Sequence, residues 1–344
     1  MLYLGTSFAD ATLYGNIDQT YNSTKTTTAG VVTNQKTGIS AYQMGQSYLG
    51  VRGAEELGDG IKASYLYEFG LATETTAAPT NRQSYVGLSG GFGALRIGKQ
   101  YSQAFNNTVA VDPGGATGGR GALYLYTMVS YDGATNAVGE VTAGEHPLRQ
   151  DRGFQYDLPN FMPGLKLGIT KVFGNANSAN NGAKVGDGTG FNASYSAGGL
   201  YAGFTTDSAK GQGILKDATP TIFPAPATAT NKLTTLALSY DLGMAKPSYQ
   251  STKVSVSTAT WKTDMFALTV PLGAATVFIS TSTGKLDLEG TAGDRKLKGM
   301  QYGVNYGLSK RTVAYWHAGN DTQTFSTGTT SKTTGFGIGV HHSF

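Results

Sequence analysis

Apolar and polar residues alternate with period two along this chain, and the alternation restarts repeatedly between glycine-rich breaks. In SYLYEFGL, Tyr65, Tyr67, Phe69 and Leu71 share one face, while Ser64, Glu68 and Gly70 share the other. GFQYDL sets Phe154, Tyr156 and Leu158 against Gly153, Gln155 and Asp157. LKLGI, LALSYDL and MQYGVNYGL repeat the pattern through Leu165, Leu167 and Ile169, then Leu236, Leu238 and Tyr240, then Met300, Tyr302, Val304 and Tyr306. In TTGFGIGVHHSF, Phe336, Ile338, Val340 and Phe344 oppose Gly335, Gly337, Gly339 and His341. A period of two predicts strands with one apolar face, so the chain reads as all-β.

The connections decide which way those faces point. Some are tight and turn-like, at 56–60, 89–93, 159–164, 196–199 and 307–311; others are long and rich in Thr, Asn, Gly and Pro, at 22–38, 174–188, 206–231 and 320–332. A soluble sandwich shows the same alternation with the meaning of the faces reversed. Short and long connections in alternation instead predict a transmembrane antiparallel β-barrel, with tight periplasmic turns on one rim and extended loops on the other. The connections separate about sixteen strands, the size class that leaves an aqueous channel.

Composition supports this reading. The chain has 344 residues, with 49 glycines, 20 tyrosines and no cysteine, a profile of many short strands joined by turns. The absence of cysteine excludes a disulfide framework and thiolate chemistry. A net charge of +4 without a run of basic residues gives no nucleic-acid stripe. No stretch reaches the roughly 18 apolar residues of a membrane-spanning helix, but a barrel needs apolar residues only at alternate positions. Residues 1–9 read as an N-terminal remnant or a lead-in to the first strand, with any export signal removed or truncated. Residues 10–344 then form a single barrel domain.

Five segments, in order, carry a family resemblance: ATLYGNIDQTY, GVRGAEELGDGIKASYLYE, NRQSYVGLSGGFGALRIGKQ, LSKRTVAY and the terminal GVHHSF. The chain resembles the Gram-negative trimeric general porins of the beta-proteobacterial type, and is similar in particular to the anion-selective members. The resemblance implies a bacterial outer-membrane channel for passive diffusion of small hydrophilic solutes and ions, with a modest anion preference. It also implies a homotrimer in outer-membrane lipid and a third extracellular loop, within 102–147, folded into each lumen as an eyelet. No cofactor is expected. A substrate-specific channel for small organic or inorganic anions is the alternative, and an outer-membrane barrel enzyme a more distant one.

The resemblance also places site residues. Arg82 and Arg149 fall where such porins carry basic eyelet residues on the wall, and Glu68 matches a wall carboxylate. Parity assigns Arg149 to the face of Asp151 and Gln155, and Glu68 to the face opposite Tyr67 and Phe69; for Arg82 parity is indecisive, because Val86 and Leu88 share its face. Asp112 and Arg120 lie in the long third connection. Relatives often carry a first basic residue where SYLGVRG has Tyr48, which leaves Arg52 as the cation of that strand. Phe344, with Val340, Ile338 and Phe336, is expected to face lipid on the strand that closes the barrel, the terminal aromatic serving as an assembly signal.

Other motifs carry little. GALRIGK has the glycine and lysine spacing of a P-loop, but Gln100 replaces the magnesium-binding hydroxyl and no helix is expected to follow. His341 and His342 point to opposite faces of a strand, a poor arrangement for a metal. AEELGDG lacks the carboxylate spacing of a calcium loop, and no serine sits in a nucleophile elbow.

Overall fold

The computed structural model describes residues 11–40, 44–114, 149–176, 184–185, 187–210, 230–256, 259–288 and 294–344. The first part of the chain forms β1 (Thr12–Thr28), β2 (Val31–Ser40), β3 (Tyr48–Gly58), β4 (Ile61–Gly70), β5 (Thr80–Gly90) and β6 (Gly93–Tyr101). After helix α1 (Gln103–Val111) come β7 (Arg149–Asp157), β8 (Leu165–Val172), the short β9 (Asn175–Ala176) and β10 (Lys184–Val185), β11 (Gly188–Ala197), β12 (Leu200–Lys210) and β13 (Thr230–Tyr240). The rest is β14 (Lys246–Val256), β15 (Ala259–Leu272), β16 (Ala275–Leu288), β17 (Arg295–Gly307), β18 (Thr312–Phe325) and β19 (Thr330–Ser343).

Consecutive wall strands pair antiparallel, β8 pairs with β11, and β9 and β10 make a separate small hairpin. The outer half of β1 pairs with β2 and its inner half with β3, so β2 and β3 are two halves of one stave. β1 also pairs with β19, from Asn16 opposite Ser343 to Thr28 opposite Ser331. The result is the closed antiparallel barrel of sixteen staves expected from the pattern, with no open edge for lipid to leave unsatisfied.

The apolar parity faces out. Val86 is 62% exposed, Phe266 60% and Ile338 56%, while Thr20, Thr205, Thr235, Gln155 and Gln301 are buried on the opposite face. A soluble sandwich would cover the first set; here it lies on the exposed outer surface, as a membrane barrel requires. Phe336, Val340 and Phe344 are exposed on the same side as Ile338. The bare inward glycines have a packing reason. A Cβ on Gly339 would lie 2.5 Å from Cζ of Tyr315, and one on Gly50 2.7 Å from Cζ of Tyr14, so inward tyrosines lie across glycines of the adjoining strand.

Asp18 and its partners join four segments at the closing seam. Its Oδ2 accepts the backbone N–H groups of Met44 and Gly45, each at 3.0 Å, where the stave breaks between β2 and β3. Its Oδ1 accepts the Tyr315 hydroxyl at 2.5 Å, and Nδ1 of His341 lies 3.5 Å from Oδ2.

Two expectations change. The connections at 22–38 and 320–332 are not long loops: β1 and β2 turn at Ala29 and Gly30, and β18 continues to Phe325 before β19 starts at Thr330. These strands run on with polar outward residues such as Ser23, Lys25 and Thr27, so the ladder persists where apolar alternation ends. A helix also follows GALRIGK, because α1 starts at Gln103. The motif itself is β6, whose backbone is committed to ladders with β5 and β7.

Candidate functional site

Helix α1 belongs to the third connection on the long-loop rim, and its own sequence starts it. Ser102 is the N-cap, its Oγ accepting the Phe105 N–H at 3.1 Å, and Asp112 ends the helix. The helix crosses the barrel interior to the far wall. Asn107 donates to Thr205 Oγ1 and accepts from the Tyr201 hydroxyl, both at 2.8 Å, and Gln250 donates to Thr108 Oγ1 at 2.9 Å. Lys246 Nζ donates to the Ala110 carbonyl at 3.1 Å, while Val111 packs against the inward Ala237 and Met265. Asp112 is buried, its Oδ1 accepting the Gly114 N–H at 3.0 Å. Arg120 lies outside the described residues.

On the near wall a set of arginines and tyrosines converges. Arg82 is only 4% exposed; its guanidinium lies 4.7 Å from the Tyr48 ring centroid and 5.9 Å from that of Tyr101. Its terminal nitrogens donate to Gln46 Oε1 and to the Tyr101 hydroxyl. Arg149 places its guanidinium 5.0 Å from the Tyr101 centroid, and Tyr101 in turn stacks on Phe105 of α1 at 4.5 Å. Arg52 lies 4.7 Å over Tyr14, whose ring meets Tyr48 edge-on at 5.9 Å. Three guanidiniums and three phenol rings thus form one run, Arg52, Tyr14, Tyr48, Arg82, Tyr101 and Arg149, in which each ring offers its negative face to a cation.

Glu68 holds the acidic place in this group. It accepts from the Tyr14 hydroxyl at 2.8 Å and from Gln83 Nε2 at 2.9 Å, with Arg82 Nε at 3.6 Å. Tyr67 and Phe69 beside it are exposed outward, as their parity predicts.

One bulge re-aims Arg82, and a second interrupts the count that leads to Arg149. The register between β4 and β5 shifts between Glu68 and Phe69, so Arg82 has no partner in the ladder, and Arg82 and Gln83 are both buried although Val86 and Leu88 point outward. A bulge turns a side chain that simple alternation would send to lipid. A second shift lies between Gly98 and Gln100, opposite Arg152 at φ 52°. Gln150 and Gln155 then share the inner face, joined at 3.2 Å, although their parities differ. Counting back from Phe154 and Tyr156 therefore does not carry through to Arg149; what places Arg149 with the group is its contact with Tyr101.

The structure thus brings together Arg52, Tyr48, Glu68, Arg82 and Arg149, and sets Asp112 apart at the end of α1. Sequence reasoning missed Tyr14, Gln46, Gln83 and Tyr101. Tyr14 sits in ATLYGNIDQTY and shares the parity of Asn16 and Asp18, a signal that was available. Among the described residues no group of three His, Asp or Glu could hold a metal ion.

Comparison with known proteins gives matches along nearly the whole chain. Residues 4–326 match the model of a family described as Gram-negative porin. Outer membrane porin protein 32 of Delftia acidovorans is 27% identical over 320 residues, 89% of this chain and 82% of that protein. Major outer membrane protein P.IB of Neisseria gonorrhoeae is 41% identical over 108 residues, a segment that is 30% of this chain and only 30% of that relative. Among solved structures, the anion-selective porin from Comamonas acidovorans superposes with a TM-score of 0.74 at 23% identity, covering 98% of this chain and all of the other.

Proposed function

Since the chain belongs to the Gram-negative porin family, whose place is the bacterial outer membrane, we propose that it is a water-filled channel for passive diffusion of small hydrophilic solutes and ions, with a modest preference for anions. In this reading α1 and the near-wall group form the constriction. Arg82 and Arg149, with Arg52 toward the short-turn rim and Arg120 in the third connection, set a field that outweighs Glu68 and Asp112. Tyr48 and Tyr101 hold the guanidiniums in place and keep the passage narrow.

The observation that carries the reading is the pair of guanidiniums on either side of Tyr101, facing a helix that contains no charged residue. Glu68 is spent on Tyr14, Gln83 and Arg82, which limits its offset. Charges in a low-dielectric wall act strongly on ions passing close by, and salt in the lumen screens them. The relatives are named as porins, which are channels rather than enzymes. Three copies form the functional unit, as the porin resemblance implies. Reconstitution in planar bilayers tests the proposal: discrete conductance steps and a reversal potential displaced toward the anion in a salt gradient are expected. Folded protein that conducts nothing, or a clear cation preference, would overturn it.

A further inference from the structure

The outward surface of the barrel carries a row of lysines unrelated to the pore. Lys253 on β14 lies directly opposite Lys262 on β15, Lys262 opposite Lys285 on β16, and Lys285 opposite Lys296 on β17. All four are exposed and share the parity of the outward Tyr249, Phe266, Ile279 and Met300. Directly opposed residues have Cβ atoms about 5 Å apart, and like charges at that spacing destabilise a sheet. Four in one unbroken line call for an anionic partner. Among the described residues the acidic groups beside this row are three: Asp287 pairs with Lys285 at 2.9 Å, Asp294 also acts on Lys285 by its charge, and Asp264, two positions from Lys262, accepts from the Tyr249 hydroxyl at 2.7 Å.

Position narrows the partner. The row of Tyr249, Phe266, Thr281 and Met300 marks the upper edge of the apolar band; Lys298 stands two residues beyond it, and the four lysines stand four residues beyond it on the long-loop rim. At about 3.3 Å per residue on strands tilted near 40°, that is roughly 10 Å above the hydrocarbon edge, at headgroup depth. Lysine stems reach along the wall toward that level. We propose that this row is a binding site for the phosphate groups of a multiply phosphorylated lipid in the outer leaflet, whose acyl chains lie on the apolar strip below. A chain of single cations spaced along a strand row suits several phosphates on one headgroup better than one small anion.

The test compares the wild-type protein, purified in non-ionic detergent, with a variant carrying Lys253→Gln, Lys262→Gln, Lys285→Gln and Lys296→Gln, and with one carrying arginine at the same four places. Binding of bis-phosphorylated lipid A, of its dephosphorylated form and of inorganic phosphate is measured by titration, after each protein is checked as a heat-modifiable barrel. Wild type and the arginine variant should bind the phosphorylated lipid, more weakly as salt rises, and the glutamine variant should lose about tenfold or more in affinity. Equal binding by the glutamine variant, equal binding of the dephosphorylated lipid, or displacement by millimolar inorganic phosphate would overturn the proposal. If the fourfold glutamine variant does not fold, Lys262→Gln with Lys285→Gln alone must still weaken binding, or the site is wrong.

Discussion

Arg82 and Glu68 face each other at 3.6 Å from adjacent strands, and both side chains are almost completely buried on the inner wall. The carboxylate also accepts from Tyr14 and Gln83, so it holds Arg82 in place and offsets part of its charge. Glu68→Gln should raise anion preference, and Arg82→Gln with Arg149→Gln should move the reversal potential toward cations. Both changes should be larger near 0.1 M salt, where the screening length is about 10 Å, than near 1 M, where it is about 3 Å. Reversal potentials at the two salt concentrations decide it, and no change in the arginine double variant at low salt would remove these residues from the constriction.

The second prediction concerns α1. Asn107→Ala removes the bond to Thr205 and leaves the Tyr201 hydroxyl without this acceptor, so the helix is held less firmly to the far wall. Lost and unsatisfied hydrogen bonds of this kind cost on the order of 1–3 kcal/mol. Single-channel recordings should show greater open-channel noise while the folded barrel is retained. Recordings identical to wild type would mean that these bonds do not position the helix.

Asp18→Ala should weaken the barrel seam. It strands the N–H groups of Met44 and Gly45 and the Tyr315 hydroxyl together, a loss of roughly 3 kcal/mol or more. The temperature at which the folded form converts to the unfolded form on a heat-modifiability gel should fall. Asn at this position keeps an acceptor and should fall less.

A fourth prediction tests the ring-over-glycine contact. Gly339→Val places a side chain where the Tyr315 ring lies, with the first added carbon 2.5 Å from Cζ, so folding yield in detergent should drop. Adding Tyr315→Ala should restore part of the yield, and only part, because the seam then loses the bond to Asp18. Equal yields for Gly339→Val and wild type would show that the ring can move aside freely.

Strand parity was legible wherever one face meets lipid, as at Tyr67 and Phe69 around Glu68. It failed above the lipid band, where Thr24 to Thr28 keep the hydrogen-bond ladder without apolar alternation and read as loop. It failed again at the bulges, since an unpaired residue at Arg82 or near Arg152 reverses the count and leaves no mark in composition. Helix α1 was hidden by its length of nine residues, although Ser102 before Phe105 has the chemistry of an N-cap. The basic wall residues and Tyr48 came from resemblance; the other two tyrosine partners, Tyr14 and Tyr101, came only from the structure.

Joining β1 to β19 makes the contact of greatest sequence separation the one that completes the fold. Its loop-closure entropy is among the largest the chain can incur, which places this pairing on the slow side of folding. A partly zipped sheet in hydrocarbon would carry two rows of unpaired N–H and C=O groups, each unfavourable by several kcal/mol. Partial insertion is therefore a state with no stable resting place. Strand assembly and membrane entry are expected to be coupled into one cooperative event, with refolding kinetics limited by seam closure rather than by the formation of any single hairpin.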